Sequence, residues 1–257
     1  MLKIEHLYKK LGNFQLKDIH LEISQGEYFV ILGPTGTGKS VILETIAGLY
    51  KADEGHFYFQ GKDLNSEYPE NREVGFVYQD YLLFPHLSVK ENIIFGLKQK
   101  KNFQKQIQQK LDDIVSMFKI EHLLNRRPTT LSGGEQQRVA MARALITSPK
   151  ILLMDEPLSA LDPSTKNEFI SILKKIHENK QNTVIHVTHD FNVALYLADR
   201  IAIMNDGTIV QVGTPEEIFK KPNSIFVANF IGMKDILKNR IDNSKIECYY
   251  GDASLSK

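Results

Sequence analysis

The residues Gly33-Pro34-Thr35-Gly36-Thr37-Gly38-Lys39-Ser40 fit the spacing G-x-x-x-x-G-K-[ST]. That spacing suits a loop wrapped around phosphate. Glycines let the backbone turn successive N–H groups inward, and a helix starting at the loop's end adds partial positive charge. In such a loop Lys39 reaches the β- and γ-phosphates of a nucleotide, and Ser40 holds Mg²⁺. At average residue frequencies the pattern arises by chance in about one chain of this length in a hundred. Context adds weight, because the short apolar run Tyr28 to Leu32 precedes the loop and residues 39 to 49 read as a helix.

Two further groups could act on the same ligand. Ile151-Leu152-Leu153-Met154 is an apolar run that ends in the adjacent carboxylates Asp155 and Glu156. Taken alone, such a pair is as often the solvated start of a loop. In a parallel sheet, however, ligands bind at the carboxyl ends of strands, which would turn Asp155 toward the Mg²⁺ on Ser40 and place Glu156 near the γ-phosphate. A general base within reach of the attacking water is worth roughly 10²- to 10⁴-fold. The second group is Leu131-Ser132-Gly133-Gly134-Glu135, which opens an amphipathic helix through Arg138, Val139, Met141, Ala142 and Leu145. Ser132 and Glu135 read as a capping box, which leaves the two glycines unexplained. Exposed N–H groups at a helix start make an anion site that lacks a lysine. One chain would then own two half-sites for phosphate.

These residues need a scaffold, and the hydrophobic pattern supplies one. Leu16, Ile19, Leu21 and Ile23 belong to antiparallel strands that end at the turn Gln25-Gly26. Buried-strand runs then recur at Tyr28 to Leu32, Ile151 to Met154, Val184 to Val187 and Ile201 to Met204, with helical pattern between them, so the expected core is a mainly parallel α/β sheet. Between residues 86 and 148 the strands stop, and Leu111, Ile114, Val115 and Phe118 mark a helix inside a helical insertion. Lys98, Lys100, Lys101, Lys105 and Lys110 read as a solvated helix face rather than a binding surface. Asp162-Pro163 and Thr214-Pro215-Glu216-Glu217 are helix starts with capping side chains.

Composition narrows the partners. With 42% hydrophobic and 25% charged residues, the chain of 257 residues is globular in kind, and 32 Lys plus Arg against 31 Asp plus Glu make no field that would hold nucleic acid. The single cysteine, Cys248, cannot form an internal disulfide, which fits a reducing compartment. No signal peptide follows Met1 and no apolar run approaches the ~20 residues of a membrane span, so a cytoplasmic location is expected.

The order and spacing of these motifs resemble the nucleotide-binding subunits of ATP-binding cassette (ABC) transporters over nearly all of residues 1 to 235. In that frame residues 33–40 are Walker A, Leu131 to Gln136 the signature, Asp155-Glu156 the end of Walker B, and Ser159-Ala160-Leu161-Asp162 the D-loop. Gln79, after Gly75-Phe76-Val77-Tyr78, falls at the Q-loop, and His189 where a switch histidine is expected. Read alone, Gln79 is a surface glutamine and His189 a helix-start histidine. The implied fold is a P-loop NTPase cassette of class α/β: a mainly parallel core sheet, an N-terminal antiparallel β subdomain, a helical insertion at about 86–148, and a tail over 236–257 that would be at most the stub of a regulatory domain.

The implied cofactors are ATP and Mg²⁺. Gly33, Pro34, Thr35, Gly36, Thr37, Gly38, Lys39, Ser40 and Val41 would bind the nucleotide together with Ser132, Gly133, Gly134 and Glu135; Ser40, Gln79 and Asp155 would hold the metal; Glu156, His189, Lys39 and Gln79 would carry catalysis. Two copies would pair head to tail, each ATP lying between one chain's Walker A loop and the other's Ser132-Gly133-Gly134. Asp162 would cap its own helix and brace the neighbouring site. Transport implies a membrane permease, an extracytoplasmic solute-binding protein and a peripheral seat on the cytoplasmic face of the membrane. Leu11-Gly12-Asn13-Phe14, Gly33-Pro34-Thr35-Gly36, the segment Gln79 to Val89 and Gly213 to Phe219 are most similar to molybdate and tungstate importers, with sulfate and polyamine relatives close behind. The chain departs from the pattern at Leu11, where many relatives stack an aromatic ring on adenine; Phe14, Tyr8 or aliphatic surface are the substitutes. Cassette ATPases of DNA or ribosomes, and P-loop kinases of small molecules, are the rival readings. The first usually carry coiled-coil insertions, tandem cassettes or a basic face, none of which is evident, and the second leave the signature glycines without a role.

Overall fold

The computed structural model describes residues 1–98, 107–179 and 182–232. Lys100, Lys101 and Lys105 of the expected lysine-rich face, and the tail 236–257 with Cys248, lie outside the described residues. The chain opens with β1 (Leu2–Leu11) and β2 (Phe14–Ile23), antiparallel from Leu2 opposite Ile23 to Leu11 opposite Phe14. After β3 (Tyr28–Leu32) and α1 (Lys39–Ala47), the strands β4 (Glu54–Phe59) and β5 (Lys62–Asp63) join the first pair in a four-stranded sheet of order β2-β1-β4-β5. Its inner face is made by the alternating residues that the sequence marks: Leu16, Ile19, Leu21 and Ile23 are buried, and the positions between them are exposed.

The second sheet contains β3, β6 (Val74–Val77), β7 (Ile151–Asp155), β8 (Thr183–Thr188), β9 (Arg200–Asn205) and β10 (Thr208–Gly213), in the order β10-β9-β3-β8-β7-β6. All neighbours run parallel except β10, which pairs antiparallel with β9 at the edge. Both faces are covered, which is why these strands read as continuous apolar runs. Tyr28, Val30 and Leu32 of β3 enter one core with Leu152 and Met154 of β7; Phe29 and Ile31 enter a second core with Ile151 and Leu153. The second core lies between the two sheets and takes Ile42, Leu43 and Ile46 of α1.

Between β6 and β7 come α2 (Val89–Lys98), α3 (Ile107–Phe118) and α4 (Gly133–Leu145). The face of α3 formed by Leu111, Ile114, Val115 and Phe118 is buried in the first core, as its spacing predicts. The remaining helices are α5 (Pro163–Glu178), α6 (Phe191–Leu197), α7 (Pro215–Lys220) and α8 (Ile225–Phe230). Helix α1 ends at Ala47, short of the expected residue 49, because Gly48 adopts φ 84° and turns its N–H back to the carbonyls of Glu44 and Thr45. Among the described residues no helix is long and apolar enough to cross a membrane.

Candidate active site

The loop from Gly33 to Gly38 leaves the carboxyl end of β3, an interior strand, and runs into α1. It curls around its own lysine. Lys39 Nζ donates to the carbonyls of Gly33 and Pro34, 2.8 Å each, and Thr37 Oγ1 donates to Pro34 O at 2.9 Å. Lys39 is only 7% exposed, and burial lowers the ammonium pKa from its usual 10.5 against the opposing pull of the Glu156 and Asp155 carboxylates. Gly38 carries the tightest demand. It sits at φ 97°, and a Cβ there would stand 2.2 Å from Phe14 Cζ. Gly33, Pro34 and Thr37 do not line the cleft in front of the loop; the carbonyls of Gly33 and Pro34 hold Lys39, Thr37 ties down the Pro34 carbonyl, and a Cβ on Gly33 would strike Met204 O at 2.4 Å.

β7 and β8 bring the acids and the histidine to the same end of the sheet, at the carboxyl ends of the two strands. Asp155 closes β7, and its carboxylate shares the cleft with the Ser40 hydroxyl. Burial pushes its pKa above the ordinary 3.8, with Ser40 and Lys39 opposing. Glu156 follows in a left-handed conformation, φ 45°. Backbone bonds hold it there: its N–H donates to Val187 O at 2.9 Å, and its carbonyl accepts from Ser159 N and Oγ at 3.2 and 2.9 Å. The side chain meets His189, whose Nδ1 lies 2.9 Å from Glu156 Oε1. Glu156 is largely shielded, 15% exposed at the side chain, whereas His189 stands at 66%.

These groups face one cleft of about 500 Å³. Thr35, Gly36, Gly38, Lys39, Ser40 and Val41 line it from the loop and α1, with Gln79, Asp155, Glu156 and His189 from the other strand ends and Phe14 beside Leu11 from the hairpin. Tyr8, the other aromatic candidate for adenine, is not part of the lining.

The start of α4 stands apart: Ser132, Gly133, Gly134 and Glu135 do not line this cleft. The capping box is present, Ser132 N–H donating to Glu135 Oε2 at 2.7 Å and Glu135 N–H to Ser132 Oγ at 3.4 Å. The bond from the Ser132 backbone holds the Glu135 carboxyl below its usual pKa. Gly134 has a packing reason as well, since a Cβ would meet Thr165 Cγ2 at 3.2 Å. Asp162 caps α5, accepting from the N–H groups of Ser164 and Thr165 at 3.1 Å each.

One contributor has no signal in the sequence. Arg143, on α4, donates to the carbonyls of Tyr81 and Leu82 at 2.9 and 2.8 Å and lies 5.4 Å from the Phe84 ring centroid. Tyr81 and Leu82 are left-handed, φ 60° and 44°. Arg143 therefore clamps the segment that follows Gln79 to α4 across some sixty residues of chain, a pairing that only the fold creates.

A sequence profile described as ABC transporter matches residues 16–159. The chain is 45% identical over 246 residues to the molybdate/tungstate import ATP-binding protein WtpC of Pyrococcus horikoshii, spanning 96% of this chain and 71% of that one. It is 45% identical over 250 residues to the sulfate/thiosulfate import ATP-binding protein CysA of Bacillus cereus (95% and 70%), and 42% over 249 residues to the spermidine/putrescine import ATP-binding protein PotA of Thermotoga maritima (96% and 68%). Among solved structures it is similar to a dimeric ATP-binding cassette in a post-hydrolysis state bound to ADP and Pi, with a TM-score of 0.76, 35% identity, and coverage of 84% of this chain and 99% of that one.

Proposed function

The chain belongs to the ABC transporter family, whose cassettes hydrolyse ATP to drive transport, and we propose that it energises an importer of molybdate or tungstate through the cleft above. The observation that supports the site assignment is the meeting of Lys39, Ser40, Asp155, Glu156 and His189 on one cleft of about 500 Å³. The residues fit a nucleotide triphosphate. Gly36 and Gly38 are both left-handed, so the loop curves in a way that turns backbone N–H groups to a phosphate chain, and α1 begins where that charge would lie. They also fit Mg²⁺, which prefers oxygen donors: the Ser40 hydroxyl, the Asp155 carboxylate and the Gln79 amide line the same cleft. Mg²⁺ held there would neutralise charge building on the phosphate oxygens.

The protein's own groups then divide the work. Lys39 Nζ exchanges the carbonyls of Gly33 and Pro34 for phosphate oxygens, keeping its charge in a buried site where it acts strongly. Glu156 polarises the attacking water. The hydrogen bond between His189 Nδ1 and Glu156 Oε1 orients the ring and the carboxylate together, and the ring helps to spread the charge that develops on the transferring phosphoryl group. The signature residues Ser132, Gly133 and Gly134 lie off this chain's own cleft, which favours a head-to-tail pair in which each copy completes the other's site. Residues 1–235 make the cassette in this reading, with 86–148 as its helical insertion. It sits peripherally on the cytoplasmic face of the membrane, against a permease served by an extracytoplasmic solute-binding protein, and takes no nucleic acid.

Cargo is supported by similarity alone, since this subunit does not touch it. The equal identity to a sulfate/thiosulfate import protein sustains sulfate as a second reading. Reconstituted with its permease and binding protein in liposomes, the complex should show ATPase activity stimulated several-fold by molybdate or tungstate. Stimulation by sulfate in their place transfers the cargo to the second reading.

A further inference from the structure

We infer that His6, Asp18 and His20 form a binding site for a borderline divalent transition-metal ion, with Zn²⁺ as the reference ion, on the exposed face of the antiparallel sheet. The ligand atoms of the three side chains lie within 4.8 Å of one another. His6 Nδ1 and His20 Nε2 each approach the same oxygen, Asp18 Oδ1, at 2.9 Å, and the imidazole centroids are 4.1 Å apart in an edge-on arrangement. Ligands on a tetrahedral zinc, at bonds of roughly 2.0–2.1 Å, stand about 3.3 Å apart. The present spacing therefore brackets what the ion needs, and sub-ångström shifts of exposed side chains complete it. Two imidazoles and a carboxylate select Zn²⁺, Ni²⁺, Co²⁺ or Cu²⁺ over Mg²⁺ and Ca²⁺, which seek all-oxygen shells. None of the three lines the nucleotide cleft.

The backbone is bent to bring these residues together. A regular strand pair would alternate faces without interruption, but the β1–β2 register shifts between Ile4 and Leu7 and again between Leu7 and Lys9. At the first shift Glu5 and His6 oppose His20; at the second Lys17 and Asp18 oppose Tyr8. His6 and Asp18 are the left-handed members of the two bulges, both at φ 50°, where a residue other than glycine is uncommon. Bulges re-aim side chains and concentrate at functional positions. Here they set one ligand on each strand around His20.

The surroundings favour a cation. Asp18 Oδ1 is the shared partner of both imidazoles, so one carboxylate oxygen already faces a ring nitrogen from each histidine. Glu54 stands opposite Tyr8 in the β1–β4 pairing, and Glu5 is the chain neighbour of His6. A metal ion here staples β1 to β2, the two strands whose far ends carry Leu11 and Phe14 to the nucleotide cleft.

The test is calorimetric titration of Zn²⁺ into the full chain, free of affinity tag, nucleotide and Mg²⁺, beside the double variant His6→Gln/His20→Gln, the single variant Asp18→Asn and the exposed-histidine control His86→Gln. The wild type and control should bind one more Zn²⁺ equivalent at micromolar concentration than the double variant, and Asp18→Asn should weaken that equivalent at least tenfold. Zn²⁺ should raise the Tm of the wild type and leave that of the double variant unchanged. Metal-free melting and ATPase activity, expected to match wild type, certify that the variants fold. Equal Zn²⁺ stoichiometry and equal Tm shifts in wild type and double variant would overturn the site, as would the lack of saturable binding to the wild type.

Discussion

Glu156 and Asp155 are neighbours in sequence with different environments, and the difference predicts different mutant behaviour. Glu156 is pinned at φ 45° by Val187 and Ser159, and its carboxylate is engaged by His189, a geometry suited to holding one water. Glu156→Gln keeps size and hydrogen bonding but loses the proposed base, so kcat should fall by roughly 10²- to 10⁴-fold with ATP binding retained, checked by single-turnover kinetics beside nucleotide titration. Asp155 has a raised pKa because it is buried. The sign follows directly. In the unfolded chain it ionises near 3.8, so above its folded pKa the native state bears the cost of a buried charge, and that cost is relieved as pH falls through the raised value. Asp155→Asn should therefore lose ATPase activity yet melt a few degrees higher than wild type at pH 7, with the difference shrinking toward pH 4. A lower Tm at pH 7 would show that the charge is compensated in the fold.

At the scale of elements, the nucleotide loop and the hairpin are built against each other. Gly38 must be left-handed to start α1, and it must lack a Cβ because Phe14 of β2 occupies that space. Gly38→Ala should cost about 2 kcal/mol or more, combining backbone strain with overpacking. The two costs are separable. In the double variant Gly38→Ala/Phe14→Ala, denaturant midpoints should show the Gly38→Ala penalty reduced but not abolished, because the clash with Phe14 is gone while the close approach of Leu16 Cδ2, at 2.8 Å, and φ 97° remain. The same contact defines what Phe14 does: packed on Gly38 and lining the cleft beside Leu11, it supports the loop from the side.

For the whole molecule, the decisive fact is that the start of α4 and the cleft lie on different parts of one chain. In a head-to-tail pair, Lys39→Ala and Ser132→Arg damage different halves of a shared site. Each homodimer should be nearly inactive, while mixing the two variants should restore activity through heterodimers in which one of the two composite sites is intact. Mixtures no more active than their components would remove the shared site. Glu156→Gln offers the structural check, since ATP should hold it as a dimer in light scattering while wild type returns to monomer as ATP is consumed.

Much of this was legible in the sequence, for a physical reason. A loop that wraps phosphate needs glycine, lysine and serine at fixed offsets; a strand covered on both faces must be apolar throughout; a helix start must cap its N–H groups. These are local constraints, and each left its mark within a few residues: Gly33 to Ser40, Ile151 to Glu156, Ser132 with Glu135. Where the local signal was weak the elements went unread, as with the short strands β4, β5, β6 and the edge strand β10. Contacts between distant segments left no such mark. Arg143 reaches Tyr81 and Leu82, Phe14 fills the space beside Gly38, and His6 converges with Asp18 and His20 only through two bulges in a strand pair. The residue types that chemistry requires at short range were thus determined by the sequence itself. Which side chains from far along the chain stand beside them was decided by sheet order and register, which exist only in the folded molecule.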